Sequence, residues 1–184
     1  MMPACVPPAA HVIVVRADAA VFSTRSDYEA CEGARPPLVL GGRLPTPGIF
    51  PRVSTFRLAG HLVGFVVNTI GSSGSPGTVV VRSLRTRRTI ASHDVGPRPR
   101  PVGFANDVVT SLVMNRRGAS GWIDTRTAQD RRGRTTVRRT VATASPQGRV
   151  RTLDAGGGIA ARSLRLRGHT LSWLHDGRRR SARL

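Results

Sequence analysis

Short stretches of alternating apolar and polar residues, separated by Gly and Pro, run along most of the chain. The alternation is strongest in residues 78–84 and 163–173, where SLRLRGHTLSW sets three leucines and Trp173 between polar neighbours. A strand that buries one face in an antiparallel sheet produces this period of two. Val, Ile and Thr contribute 21, 6 and 16 residues, a composition typical of strands. The pattern therefore predicts an all-β chain.

One segment also permits a helical interpretation. The stretch DAAVFSTRSDYEACE, from Asp18 to Glu32, lies in a long run free of Gly and Pro. We interpret it as strand, because strand patterning dominates the rest of the chain.

Four segments align as a strand, a turn and a second strand. They are VVRADAAVFSTRSD from Val14, FRLAGHLVGFVVNT from Phe56, LVMNRRGASGWIDT from Leu112 and LRLRGHTLSWLHDG from Leu164. The turns carry residues that accept positive φ, namely Asp18, Gly60, Gly118 and Gly168. A buried aromatic side chain is expected after each turn: Phe22, Phe65, Trp122 and Trp173. A small residue precedes three of these aromatics: Gly64, Gly121 and Ser172.

Further strands complete each unit. The third strands are YEACEG, TVVVRSLRT, TTVRRTVAT and RRRSARL, and the fourth strands of the first three units are PPLVLGG, RRTIASHDV and RVRTLDAG. Four strands repeating at roughly 45 to 50 residues are typical of a β-propeller. We predict an extended N-terminal segment, 1–10, and one propeller-like domain, 11–184, with units at about 11–42, 53–95, 106–155 and 159–184. A β-sandwich is the alternative.

The second unit carries AGHLVGFVV followed by TVVVRSLRTRRTI. This is similar to the hairpin and the V-x-V-x-D-L-x-T-G strand and turn of WD-repeat (WD40-like) and TolB-like β-propeller blades, especially those of uncharacterised exported proteins of GC-rich bacteria. Ser83 and Arg87 stand where that pattern has Asp and Gly, and no Trp-Asp dipeptide occurs. The resemblance covers residues 11–184 and implies an antiparallel propeller-like array of about four short blades, without implying a particular function.

The charge balance is strongly basic. The chain has 29 Arg and no Lys against 10 acidic residues, a formal net charge of +19. Most arginines therefore lack a carboxylate partner, and the surface should attract polyanions at low salt. Because Arg, Ala, Gly, Pro and Val are all abundant, GC-rich coding explains part of this excess.

Arginines cluster at predicted turns and strand ends, where a propeller could gather several of them on one rim. The candidate anion-binding residues are Arg85, Arg87, Arg88, Arg131, Arg132, Arg134, Arg178, Arg179 and Arg180, and Arg116 and Arg117 form a further pair. Single-strand nucleic-acid binding also needs stacking aromatics, and the repeat assigns most of the few aromatics to the core. No specific nucleic-acid recognition is expected.

Cys5 and Cys31 are the only cysteines. A disulfide is the leading interpretation and a pair of unpaired thiols is the alternative. Zinc binding is disfavoured because the spacing is wrong and the nearby His11 cannot complete a four-ligand set. A disulfide would imply an oxidising compartment.

Catalytic, cofactor and metal signatures are not found. No G-x-S-x-G occurs, and the glycine-rich tract Ile70–Thr78 lacks the G-K-[ST] ending of a phosphate-binding loop. His61 and His169 occupy the same place in two units, which indicates a structural role. Asp154 resembles a turn-capping residue rather than a metal ligand. We expect the protein not to be an enzyme.

The sequence thus predicts a non-catalytic propeller-like interaction or scaffold module that binds a protein or an anionic polymer through Arg-rich loops. The alternative is a cytoplasmic, basic, nucleic-acid-associated protein. No signal peptide is visible at the N-terminus, and no run of 18 apolar residues exists. Location in the cell envelope or outside the cell therefore requires a leader upstream of Met1; without one the protein would be cytoplasmic.

Overall fold

The computed structural model describes residues 2–42, 50–70, 77–95, 105–130 and 132–184, in which the chain forms strands and no helix. The first sheet contains β1 (His11–Arg16), β2 (Ala19–Ser23), β3 (Asp27–Glu32) and β4 (Leu38–Gly42). The second contains β5 (Phe50–Ala59), β6 (Leu62–Ile70), β7 (Thr78–Ser83) and β8 (Thr89–Asp94). The third contains β9 (Ala105–Met114), β10 (Ser120–Gln129), β11 (Thr135–Ala144) and β12 (Val150–Gly156). The fourth contains β13 (Arg165–Arg167), β14 (Thr170–His175) and β15 (Arg178–Arg183).

Every sheet is an antiparallel meander of strands that are consecutive in the sequence. The all-β prediction is confirmed, and the segment from Asp18 to Glu32 forms β2 and β3 rather than a helix. In the described ranges none of the four sheets closes on itself, an arrangement that fits an open array or a sandwich. Residues 71–76 of the glycine-rich tract and the candidate Arg131 lie outside the described residues.

The hairpin turns follow the predicted glycines with one exception. Gly60, Gly118 and Gly168 have φ of 60°, 88° and 57°. In the first hairpin Asp18 lies in the turn as predicted, but the residue that takes positive φ is Ala17 (53°). Because Arg16 pairs with Ala19, the strand register places Ala17 at the first turn position, where Gly60 and Gly168 stand in their hairpins. Register rather than residue type decides which residue takes this conformation.

Each aromatic residue of the repeat is buried in the second strand of its sheet. Phe65 packs into an apolar cluster with the first sheet, Trp122 with the second and Trp173 with the third. Consecutive sheets therefore share a continuous series of apolar interfaces. The first strands are also neighbours, since β1 contacts β5, β5 contacts β9 and β9 contacts β13.

The small residues that precede the aromatics make room for the following sheet. A Cβ on Gly64 would lie 3.2 Å from the sulfur of Met114 in the third sheet. A Cβ on Gly121 would lie 3.1 Å from Leu171 in the fourth. Their backbone angles are not in the left-handed region, so close packing rather than turn geometry explains these glycines.

Bulges in the first strands connect neighbouring sheets. Thr55, at φ 57°, interrupts the register of β5, and its Oγ1 donates to the carbonyl of Val109 in β9 (3.5 Å). Thr110 interrupts the register of β9, and its Oγ1 donates to the carbonyl of Ala161 just before β13 (2.9 Å). β-Bulges redirect side chains in this way.

Asp154 joins the third sheet to the fourth. Its carboxylate accepts hydrogen bonds from Trp173 Nε1 (2.7 Å) and Arg180 (3.3 Å), and His175 Nδ1 lies 2.8 Å away. Burial alone would raise the pKa of Asp154, but these hydrogen bonds and the charges of His175 and Arg180 hold that pKa below its usual value. The expected turn-capping role was wrong, because Asp154 lies within β12 and contacts the next sheet.

The N-terminal segment covers the open face of the first sheet. A Cys5–Cys31 disulfide, with Cα atoms 6.1 Å apart, attaches it to β3, which confirms the predicted pairing. Cys5, Val6 and Ala10 pack around Phe22, the one repeat aromatic that has no preceding sheet. Among the described residues 2–10, Cys5 N donates to the carbonyl of Gly33, just after β3 (3.2 Å), and none of these residues forms a strand.

A search of the described residues for a helix long and apolar enough to span a membrane identified none.

Loss of the disulfide should destabilise the fold. Opening a loop of 26 residues restores chain entropy to the unfolded state and should cost about 3 kcal/mol. Cys5→Ala/Cys31→Ala should therefore lower the free energy of unfolding by about this amount in urea titrations. Reductant should destabilise the native chain equally and leave the double variant unaffected, and a native midpoint insensitive to reductant would contradict the prediction.

Candidate anion-binding cavity

A cavity of about 600 Å³ lies where the first strands of the four sheets end. Arg16 is the last residue of β1, and Arg57 lies near the end of β5. Arg116 and Arg117 follow the end of β9, and Arg165 is the first residue of β13. All four sheets therefore contribute a guanidinium to one cavity, and His169 adds an imidazole. We call this the cationic cavity.

No described Asp or Glu side chain lines the cationic cavity, and none of its five arginines forms a salt bridge within the described residues. Arg57 donates to the Phe56 carbonyl (2.7 Å), and Arg165 donates to the Leu164 carbonyl (2.8 Å). Backbone carbonyls orient these side chains without neutralising them. Five positive charges without a carboxylate partner produce a strongly positive local potential.

Two of the predicted anion-binding arginines connect the first and second sheets. Arg85 makes a bidentate ion pair with the buried Glu32, with a closest distance of 3.0 Å. The hydrogen bond and charge of Glu32 raise the pKa of Arg85. Arg87 donates to the carbonyls of Pro36 (3.1 Å) and Pro37 (3.0 Å). Both guanidiniums are therefore engaged by the protein itself.

The other predicted arginines are divided between local pairs and exposed positions. Arg134 pairs with Asp130 (2.9 Å) and Arg180 with Asp154 (3.3 Å). The hydrogen bonds of Arg134 hold the pKa of Asp130 below its usual value. The side chains that are exposed and have no described partner are Arg88, Arg132, Arg178 and Arg179.

The predicted clusters are divided between the two ends of the sheets. Successive turns of a meander lie at opposite ends of its sheet. The turn carrying Arg85, Arg87 and Arg88 lies between a third and a fourth strand. The turns at 130–134 and 176–177 each connect the second strand of a sheet to the third. They therefore lie at the other end of their sheets.

Sequence reasoning missed Arg16, Arg57 and Arg165 as members of a site. A signal was present, because every aligned hairpin carries an arginine within three residues of its turn. Isolated arginines in separate strands gave no indication of convergence, whereas runs of arginine were conspicuous. The cavity forms only because the first strands are neighbours in space.

A second cavity, of about 520 Å³, lies between the second and third sheets. Trp122, Asp124 and Arg126 alternate along β10 and face it, Arg138 and Thr140 of β11 lie opposite, and Asp94 reaches it from β8. We call it the polar cleft.

Burial perturbs the titration of the acidic groups in and behind the polar cleft. Burial, together with the nearby charge of Asp107, raises the pKa of Asp124 to about 6. Burial also raises the pKa of Asp107, an effect that the charge of Arg126 opposes. Burial lowers the pKa of His93, whose ring stacks on Trp122 at 6.2 Å. Perturbed groups beside a cavity are typical of binding sites.

Within the described part of the chain no three His, Cys, Asp or Glu side chains are grouped so as to hold a metal ion.

In comparisons with known proteins, no family model matches this chain and no curated protein sequence matches it significantly.

Ionisation of Asp124 should destabilise the fold. Because its pKa rises from 3.8 in the unfolded chain to about 6, the free energy of unfolding should fall as the pH rises through this window. Asp124→Asn cannot ionise, so it should be more stable than the native chain by up to about 3 kcal/mol at pH 8 and nearly equal to it at pH 4. Urea unfolding at both pH values measures this difference.

Asp18→Asn, which makes the same change at an exposed position in the first hairpin, is the matched control, so a gain that both variants share is not attributed to the burial of Asp124. A difference between the Asp124→Asn variant and the native chain that is the same at pH 4 and pH 8 would contradict the prediction.

Proposed function

We propose that this protein is a non-catalytic, propeller-like interaction module that binds an anionic polymer in its cationic cavity. The observation that carries the proposal is the convergence of five arginines from four sheets with no carboxylate among the described lining residues. Guanidiniums recognise carboxylate, sulfate and phosphate groups through paired N–H donors. A polymer fits better than a single ion, because the cavity arginines are spread over the ends of four strands and Arg167, between the lining residues Leu166 and Gly168, is exposed as well.

The propeller-like arrangement is part of this proposal. Support comes from the sequential order of the meanders, the adjacency of their first strands and the repeated burial of a second-strand aromatic against the preceding sheet. In propellers the first strands surround a central channel, and ligands commonly bind at its mouth. The cationic cavity lies at the ends of the first strands, where such a channel would open.

We further propose that the protein works outside the cell or in the cell envelope. The Cys5–Cys31 disulfide supports this location, because stable disulfides are typical of oxidising compartments. Anionic polysaccharides and other surface polymers are available there as ligands.

Removal of cavity arginines should weaken polymer binding. Arg116→Ala/Arg117→Ala and Arg178→Ala/Arg179→Ala each lower the formal net charge from +19 to +17, but only the first pair lines the cavity. We expect the first variant to bind heparin about tenfold more weakly than the native chain and the second to lose no more than about twofold, as a rough guide from two lost guanidinium contacts. Isothermal titration calorimetry at physiological salt measures both. Equal losses would show that net charge alone determines binding and would overturn the proposal.

Polyanion binding should be steeply salt-dependent and unspecific. Counterion release does not depend on base identity, and the buried repeat aromatics are not available for base stacking. Affinities for DNA, RNA and heparin should therefore differ little and fall together as salt rises. Mobility shifts in which one nucleic-acid sequence resists excess unrelated competitor would instead support the alternative, a nucleic-acid-associated protein.

A further inference from the structure

The polar cleft contains an arrangement of charge that the fold itself does not require. Arg126 of β10 and Arg138 of β11 are directly opposed in the strand register. Like charges at opposed positions destabilise an antiparallel pair. Asp107 lies on the other side of Arg126 at 4.0 Å, a distance too long for a hydrogen bond. Two guanidiniums therefore face the cleft with no hydrogen-bonded carboxylate among the described residues.

Buried polar atoms at the cleft also lack partners. Trp122 lines the cleft and is 1% exposed, and its indole Nε1 has no hydrogen-bond partner in the described ranges. Asp107 Oδ1, behind Arg126, is likewise without one. Buried donors and acceptors are nearly always satisfied, so an unpartnered indole N–H at a cavity indicates a missing acceptor.

The acceptors of the cleft complement these donors. Asp124 is 3% exposed and lies on the same face of β10 as Trp122 and Arg126, two residues from each of them. Thr140 lies directly opposite Asp124 and adds a hydroxyl. A ligand that satisfies this set carries an anionic group for the arginines and hydrogen-bond donors for Asp124.

We propose that the polar cleft binds a small carboxylate that also carries hydroxyl or ammonium groups, such as a sugar acid or an amino acid. The ligand carboxylate lies between Arg126 and Arg138, a ligand oxygen accepts from Trp122 Nε1–H, and the ligand donors reach Asp124. The cavity volume of about 520 Å³ is within the range of small-molecule sites. This site is separate from the cationic cavity and does not depend on the polymer-binding proposal.

The test is a ¹H–¹⁵N NMR titration of the native protein with four probes: D-glucuronate, L-serine, acetate and D-glucose. The chain has two tryptophans, and Trp173 already donates to Asp154 at 2.7 Å. A fitting ligand should shift the Trp122 indole resonance and leave that of Trp173 in place, with Trp173→Phe assigning the two peaks. We expect glucuronate or serine to produce this shift, acetate to bind at least tenfold more weakly, and glucose not to bind. Binding of glucuronate shows that hydroxyl donors suffice, whereas binding of serine without glucuronate shows that the ammonium group is needed, because serine carries both an ammonium and a hydroxyl group.

Matched variants locate the effect. Arg138→Ser removes a cleft guanidinium from an exposed position, and Arg151→Ser makes the same change on β12 between the cleft residues Val150 and Thr152, on the opposite face. Arg138→Ser should weaken binding at least tenfold and Arg151→Ser less than twofold, with circular dichroism confirming that both fold. The proposal is overturned if no probe shifts the Trp122 indole, if acetate or glucose binds as tightly as the best probe, or if both variants lose affinity equally.

Discussion

Each sheet after the first buries an aromatic side chain of its second strand against the sheet that precedes it, and the rest of the architecture depends on this contact. Phe65, Trp122 and Trp173 make it in turn, and Phe22 makes its counterpart with the N-terminal segment. Burial of large aromatics supplies most of the interface free energy between such sheets. The disulfide matters because it holds the N-terminal segment against Phe22, which has no preceding sheet to pack on.

Packing of the sheets in this order brings their first strands together and thereby sorts the arginines into two roles. Arg82, Arg85 and Arg87 hold the second sheet against the first through Val39, Glu32 and the two prolines before β4. Arginine suits this role because its planar group donates to several acceptors at once. The arginines at the ends of the first strands have no carboxylate partner within the described residues, and they converge on one cavity.

In the polar cleft, by contrast, several polar groups are placed where they destabilise the fold. A buried Asp124 beside Asp107, two opposed arginines and an unpartnered indole are each unfavourable for folding alone. Natural sequences break local rules mainly where function requires it. The apolar interface of Trp122 with the second sheet supports these polar groups, since it fixes the strand that carries them.

The amino-acid sequence predicts the strands, their order and, as its leading interpretation, the disulfide, because these depend on local periodicity, turn residues and a countable pair of cysteines. It indicated Gly64 and Gly121 as special without showing that Met114 and Leu171 pack against them. The tertiary structure sets which arginines donate to a neighbouring sheet and which line the cationic cavity, since Arg85 and Arg116 look alike as sequence. It also decided the role of Asp154, whose partners lie 19 to 26 residues further along the chain. Convergence of residues from separate strands depends on how the sheets pack, and a one-dimensional pattern carries no record of that packing.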